Sequence, residues 1–311
     1  MQVAVVGVGA IGRAWTISFL RAGHEVRVWD KIPGVVAEAR ELIEGVLPDL
    51  AKSDLLNNQD PATIMANLAS VSSLEEALEG VDYVQENTAE NVEVKRDIFT
   101  KLDRRTGPNA ILASSTSGIV PSAFTEHLQH RERCVVVHPL NPPYLIPAVD
   151  LVPSPWTSDE TVKRTIAFMK ACGQTPIVMK HEDPGFVTIR LQTMMYHECW
   201  RLVKSGLASP EDVDTAIREG LGLRWSFIGP FETADLNAPG GIRDFVARFG
   251  EALRAIYPSD GPVDWSGDLM DTVEAYRRAQ LPLADLRSRQ QWRDRRLLAL
   301  AAYKKAQAEN D

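Results

Sequence analysis

QVAVVGVGAIGRAWTISFLRAGHEVRVWD, residues 2–30, decides the fold. Gln2–Val6 is a short β-branched apolar run, as a parallel strand buried on both faces requires. It enters Gly7-Val8-Gly9-Ala10-Ile11-Gly12, a glycine turn that opens a helix reaching about Ala22. A second strand, Glu25–Trp29, ends on Asp30. Gly7 permits the tight turn, Gly9 lets backbone approach a pyrophosphate, and Gly12 lets helix and strand pack closely. A pyrophosphate would meet the positive end of the helix at Ala10, Ile11 and Gly12, while Asp30 would take the ribose hydroxyls. The glycine spacing alone is a weak signal, but strand, helix, second strand and acid all fall in order, which predicts a dinucleotide site. Asp30 selects NAD: a carboxylate there accepts from the 2′-OH and repels a 2′-phosphate, a repulsion that Lys31 softens.

With 311 residues the chain suits two domains and can bury a sizeable core. A net charge of −8 argues against nucleic acid or an anionic membrane as the main partner. Cys134, Cys172 and Cys199 have neither metal spacing nor an even count, and read as buried thiols in a reducing compartment. No metal is expected. The first strand begins at residue 2 and no apolar run reaches spanning length, so a cytoplasmic location is expected.

After Asp30 comes a long helical excursion, about 33–68, broken near Pro48 and at Asp60-Pro61. A short acidic helix at 73–79 follows, then a strand over Val81–Glu86 and a helix over Val92–Leu102. Further strands are expected at Ala110–Ser114, Cys134–Val137, Val149–Val152 and Thr175–Met179, with a helix at Ser158–Ala171. Strands alternating with helices predict a Rossmann-type, doubly wound, largely parallel sheet over residues 1–182. The character changes at Asp183-Pro184-Gly185, and residues 183–311 read as an all-α domain. Within it Ser209-Pro210-Glu211-Asp212 is an N-cap, a proline in the first turn and an acid at N3. The tail at 304–311 is expected to fray.

Two further segments carry chemistry. Ala113-Ser114-Ser115-Thr116-Ser117-Gly118 places small hydroxyls just after a strand, and His138-Pro139-Leu140-Asn141 leaves another, with Asp150 twelve residues beyond the histidine. Ligands of open α/β sheets gather at the carboxyl ends of strands. A neutral imidazole takes a hydroxyl proton while hydride leaves carbon, and a carboxylate fixes its tautomer and stabilises the imidazolium.

At these residues the chain resembles the 3-hydroxyacyl-CoA dehydrogenase superfamily, and within it the lambda-crystallin/L-gulonate 3-dehydrogenase branch. GVGAIGRAW at 7–15, QENTAENVEVK at 85–95, ASSTSG at 113–118 and HPLNPPYLIPAVDLVP at 138–153 carry the resemblance. PGFV at 184–187, RLVKSGLASPEDVD at 201–214, EGLGLRWSFIGPFET at 219–233 and RQQWRD at 289–294 extend it over the chain, the last favouring this branch. The resemblance implies a Rossmann domain and a helical domain that forms a homodimer. It implies His138 as catalytic base, Ser117 as the hydroxyl holding substrate oxygen near the nicotinamide, and Asn141 in the nicotinamide pocket. Glu90 and Lys95 match positions that contact NAD; from the residues alone they read as solvated helix charges.

Two departures stand out. The family's usual glutamate partner of the histidine is Asp150 here, one methylene shorter, and its common asparagine after PGFxx is Ile189, which changes what the substrate pocket discriminates. The acidic arm from Pro33 to Asp60, where acyl-CoA relatives contact CoA, holds only Arg40 and Lys52 against Glu38, Glu41, Glu44, Asp49, Asp54 and Asp60. A CoA handle wants cations, so a small anionic free hydroxy acid is the expected substrate, with Arg224 the candidate for its carboxylate. L-Gulonate leads; L-carnitine and a short-chain 3-hydroxyacyl-CoA are the alternatives, and a crystallin-like NAD-binding structural protein is the non-enzymatic one.

Overall fold

The computed structural model describes residues 1–52, 55–256, 267–286, 288, 289, 292 and 303. They divide into two compact units, Met1–Tyr196 and His197–Asp311.

The first unit opens with β1 (Gln2–Val6), α1 (Ala10–Arg21) and β2 (Glu25–Trp29), as the sequence predicts. Next come α2 (Val35–Lys52), α3 (Pro61–Ala66), β3 (Leu68–Ser70), α4 (Leu74–Leu78) and β4 (Tyr83–Glu86). Then follow α5 (Val92–Arg105), β5 (Ile111–Ser114), α6 (Ser122–Thr125), β6 (Cys134–Pro139), β7 (Ala148–Pro153), α7 (Asp159–Ala171) and β8 (Thr175–Val178); α8 (Val187–Lys204) begins in the first unit and ends in the second. The strands form one sheet in the order β3-β2-β1-β4-β5-β6-β7-β8. The first six positions are parallel; β7 runs against β6, and β8 follows β7.

Period-2 alternation makes this a sheet with two buried faces. Val3 and Val5 of β1, and Val135 and Val137 of β6, enter the core shared with α1, α2 and α7. Ala4, Val6, Cys134 and Val136 enter the opposite core, with α4, α5 and α6. The strand order reverses between β1 and β4, and that crevice is where a doubly wound sheet receives its ligand.

Four details depart from the sequence expectations. Pro48 does not break the excursion: α2 runs through it, burying Ala39, Ile43, Leu47 and Leu50. An interior proline costs roughly 3 kcal/mol, which the burial of four apolar side chains offsets. Leu68 is not the end of a helix but the first residue of edge strand β3, paired to Val26. Strand β6 extends through His138 to Pro139, so the histidine lies inside the sheet rather than beyond it. Of the thiols expected to be buried, Cys134 and Cys172 are, and burial pushes Cys172 up to about 12, whereas Cys199 is half-buried.

The second unit has no strand among its described residues. The Ser209 capping box with Asp212 is formed as expected and starts α9 (Pro210–Thr215). A π-helical turn (Ala216–Leu221) leads to α10 (Gly222–Trp225), then α11 (Pro230–Leu236), α12 (Gly241–Ile256) and α13 (Gly267–Gln280). Ile228, Leu236, Leu281 and Leu286 form its core. Residues 304–311 and most of 289–294 lie outside the described residues.

Candidate active site

The glycine turn is built as its sequence demands. Gly7 has φ +85, and a Cβ there would stand 2.8 Å from the Asn87 carbonyl oxygen. A Cβ at Gly12 would stand 1.9 Å from the Gly7 carbonyl oxygen, so helix and turn touch backbone to backbone. A Cβ at Gly9 would meet nothing within 4 Å, leaving open space on the side where a phosphate would approach. Gly9 caps α1 without any side-chain hydrogen bond, and among the described residues no acid stands in the first turn. The helix end therefore presents the Ala10, Ile11 and Gly12 amides with no competing anion of its own. Asp30 is fixed at the end of β2: one carboxylate oxygen accepts from the Val8 N–H at 2.9 Å and the other from Ile32 at 2.9 Å. Each oxygen retains lone-pair capacity for ribose hydroxyls. Turn, helix end and acid fit a dinucleotide.

Beside this turn lies a cavity of about 550 Å³, lined among others by Ile11, Glu90, Ser117, His138, Asn141 and Ile189. Six of the residues singled out in the sequence thus meet in one place. Among the described lining residues Glu90 is the one carboxylate, and none is a lysine or arginine.

Asp150 stands behind His138, placed there by sheet register: the two are direct partners across the antiparallel β6/β7 pair. Side chains so opposed share a face with Cβ atoms roughly 5 Å apart. The aspartate therefore needs no longer side chain; its Oδ2 lies 3.2 Å from His138 Nδ1, with His138 5 % and Asp150 0 % exposed. A carboxylate can only accept, so Nδ1 carries the hydrogen and the lone pair sits on Nε2. Asp150 Oδ2 also accepts from the N–H and hydroxyl of Thr188, while its Oδ1 is buried without a partner.

The loop after β5 is an anion-holding turn filled by the protein's own glutamate. Glu90 Oε1 accepts from Thr116 Oγ1 at 2.6 Å, Ser117 N at 3.0 Å and Gly118 N at 3.2 Å. Burial pushes the Glu90 carboxyl up, but the Thr116 hydroxyl, the Lys95 charge and the two backbone amides outweigh it and hold it below the ordinary carboxylate value. Lys95 is not a solvated helix charge. It is 1 % exposed, with Nζ 3.1 Å from Glu86 Oε2 and 3.7 Å from Glu90 Oε2. Glu86, which the sequence leaves open between a structural acid and a polar lining residue, is the hub: it also accepts from Ser114 Oγ at 2.6 Å and from both Thr88 donors. Its signal was its place, an acid ending a buried strand at the crevice. Thr188 gave no such signal.

Arg224 lies in the second unit, on α10, half-buried, with its Nε buried and without a hydrogen-bond partner among the described residues.

Known proteins agree with this architecture. The model of the 3-hydroxyacyl-CoA dehydrogenase NAD binding domain matches residues 2–182, and that of the C-terminal domain matches residues 185–261. The chain is 40 % identical to the lambda-crystallin homolog of Bos taurus, covering 97 % of this chain and 95 % of that one. It is 36 % identical to L-carnitine dehydrogenase of Pseudomonas putida, over 98 % and 94 %. Among solved structures, 5-formyl-3-hydroxy-2-methylpyridine 4-carboxylic acid 5-dehydrogenase, an NAD+-dependent dismutase, superposes with a TM-score of 0.75 at 25 % identity, covering 96 % of each chain.

Proposed function

Because this chain belongs to the 3-hydroxyacyl-CoA dehydrogenase family, we propose that it oxidises the 3-hydroxyl of a small free hydroxy acid to the 3-keto acid, with L-gulonate the leading substrate. The class is plain: an NAD-dependent hydroxy-acid dehydrogenase. The finer reading rests on one observation above all, the His138–Asp150 pair opening onto the cavity that Ser117 also lines.

Bound NAD supplies the hydride acceptor. His138 Nε2 takes the proton of the substrate hydroxyl, and Asp150 stabilises the imidazolium that results, through Nδ1–H. Ser117 Oγ donates to the same substrate oxygen and holds it in place. Glu90 fixes the Ser117 backbone by accepting its N–H. Ile189 and Asn141 supply an apolar and a polar wall, and Arg224 is our assignment for the substrate carboxylate on chemistry alone.

The acidic arm supports a free acid over a thioester. Of its two cations, Arg40 donates to the Leu68 carbonyl at 3.0 Å, and Lys52 stands exposed beside Asp49 at 3.3 Å, leaving little positive charge for a phosphate-rich handle. L-Carnitine and the pyridine carboxylic acid, named for two of the relatives, are likewise free acids; L-carnitine is the second reading. A cytoplasmic location completes the proposal.

The test is NAD reduction with L-gulonate, L-carnitine, 3-hydroxybutyrate and 3-hydroxybutyryl-CoA in parallel. Turnover of a free acid and not of the thioester is the expected result; preferential thioester turnover overturns it. His138→Ala should lower kcat by about 10²–10⁴ without changing NAD affinity, because the ring acts on the substrate proton. A folded variant that loses NAD binding would show that His138 has been misassigned.

A further inference from the structure

The Asp150 carboxylate has a second support, in the first turn of α8. Pro184-Gly185-Phe186 enters that helix through two consecutive left-handed residues, Gly185 at φ +84 and Phe186 at φ +48. Glycine adopts this conformation freely; a phenylalanine adopts it only where its surroundings impose it. Here they do. Phe186 is fully buried in the α5-side core, and its ring lies 5.8 Å from the His138 ring, backing the base. The kinked entry is followed by two side chains, Thr188 and Ile189, that serve different places. Ile189 lines the cavity, and Thr188 meets Asp150.

Asp150 is held on one oxygen only. Oδ2 accepts from His138 Nδ1, from Thr188 N and from the Thr188 hydroxyl, while Oδ1 is buried with no partner. Among the described residues, every hydrogen bond that orients this carboxylate comes from the histidine it must steady or from Thr188. The Thr188 amide is a first-turn N–H, one of the groups a helix cannot satisfy itself, so it serves the carboxylate at no cost to α8.

We propose that Thr188 is a positioning residue for the base: its hydroxyl fixes the Asp150 carboxylate so that Oδ2 remains on His138 Nδ1 and the lone pair on Nε2. Without it only the long Thr188 N–H contact, at 3.3 Å, and the imidazole itself hold Oδ2, so the carboxylate turns more freely about its Cβ–Cγ bond and the imidazole loses a fixed partner for its tautomer. The inference rests on His138 acting as base, and its test separates the two.

Thr188→Val keeps the volume and removes only the hydroxyl; Thr188→Ala guards against crowding by the valine, and Thr188→Ser restores the donor. The readouts are kcat and KM on a turned-over free acid, and the histidine ¹⁵N resonances of selectively labelled protein, with His138 assigned by its loss in His138→Gln. In Thr188→Val and Thr188→Ala kcat should fall about tenfold or more at nearly constant KM, and the His138 nitrogens should leave the pattern of a single Nδ1–H tautomer. Thr188→Ser should return both. Wild-type His138 resonances in folded Thr188→Val and Thr188→Ala overturn the proposal, whatever the kinetics. Displaced resonances with unaltered kcat, and full activity in His138→Ala, would instead overturn the assignment of His138 as base while leaving the positioning role standing.

Discussion

Four hydroxyl side chains in a row, Ser114 to Ser117, divide the work after β5. Ser114 Oγ is bound to Glu86. Ser115 Oγ accepts from Trp15 Nε1 and Gln85 Nε2 and donates to Asn87 Oδ1. Thr116 Oγ1 is bound to Glu90. Ser117 Oγ has only a long contact, 3.4 Å from Glu90 Oε1, and it is exposed to the cavity. Ser117 is thus the hydroxyl with capacity left for a ligand. The two neighbours should separate experimentally: Ser117→Ala lowers kcat/KM about tenfold or more with little change in urea midpoint, whereas Ser115→Ala, leaving buried donors unpaired, costs about 1–3 kcal/mol of stability. Equal behaviour of the two variants would refute this division. At this scale the sequence was legible where a residue type is tied to backbone need, as at Gly7 and Gly12. It was silent where a partner arrives from a distant turn, as Thr188 does to Asp150 across 38 positions.

Elements place these residues in two different ways. The His138–Asp150 pair is a matter of strand register, so the shorter aspartate suffices; a side-chain length comparison alone could not show that β7 turns back against β6. The Glu86–Lys95 pair ties the end of β4 to the first turns of α5, with both groups out of solvent. Removing one member of a buried pair strands the other charge, so Lys95→Met should destabilise by about 3–5 kcal/mol, read as a fall in denaturant midpoint. The double variant Glu86→Gln, Lys95→Met should recover part of that loss. If Lys95→Met unfolds like wild type, the pair is not structural. Helix α2 shows the opposite limit of sequence reading: local chemistry at Pro48 argued for a break, and the buried face of Ala39, Ile43, Leu47 and Leu50 overrode it.

For the whole molecule, the helical character of the second part was legible because strand patterns stop near residue 183; the division between compact units, at Tyr196/His197 inside α8, and the surfaces left open were not. On α12, Phe249, Leu253 and Ile256 follow one another at helical spacing and are 44, 38 and 70 % exposed. An apolar stripe on one helix face is a surface that self-association can bury, and we propose that a second copy of the chain covers it, as the family resemblance implies. Light scattering should give twice the monomer mass, and Leu253→Glu with Ile256→Glu should reduce it to one; a monomeric wild type excludes the dimer. No described helix is long and apolar enough to cross a membrane. Finally, residues 140–147 hang between β6 and β7, whose ends are clamped by the Pro139–Val149 pairing and by the Thr175 amide on the Pro147 carbonyl. That loop contributes Leu140, Asn141 and Ile146 to the cavity wall, while the acid and the imidazole sit in the strands on either side of it. Admission and proton handling are therefore carried by different residues: a changed side chain at Leu140, Asn141 or Ile146 alters the wall that meets the ligand, while the loop stays tied to the core through the Pro143 and Tyr144 carbonyls and the proton-handling pair stays in register.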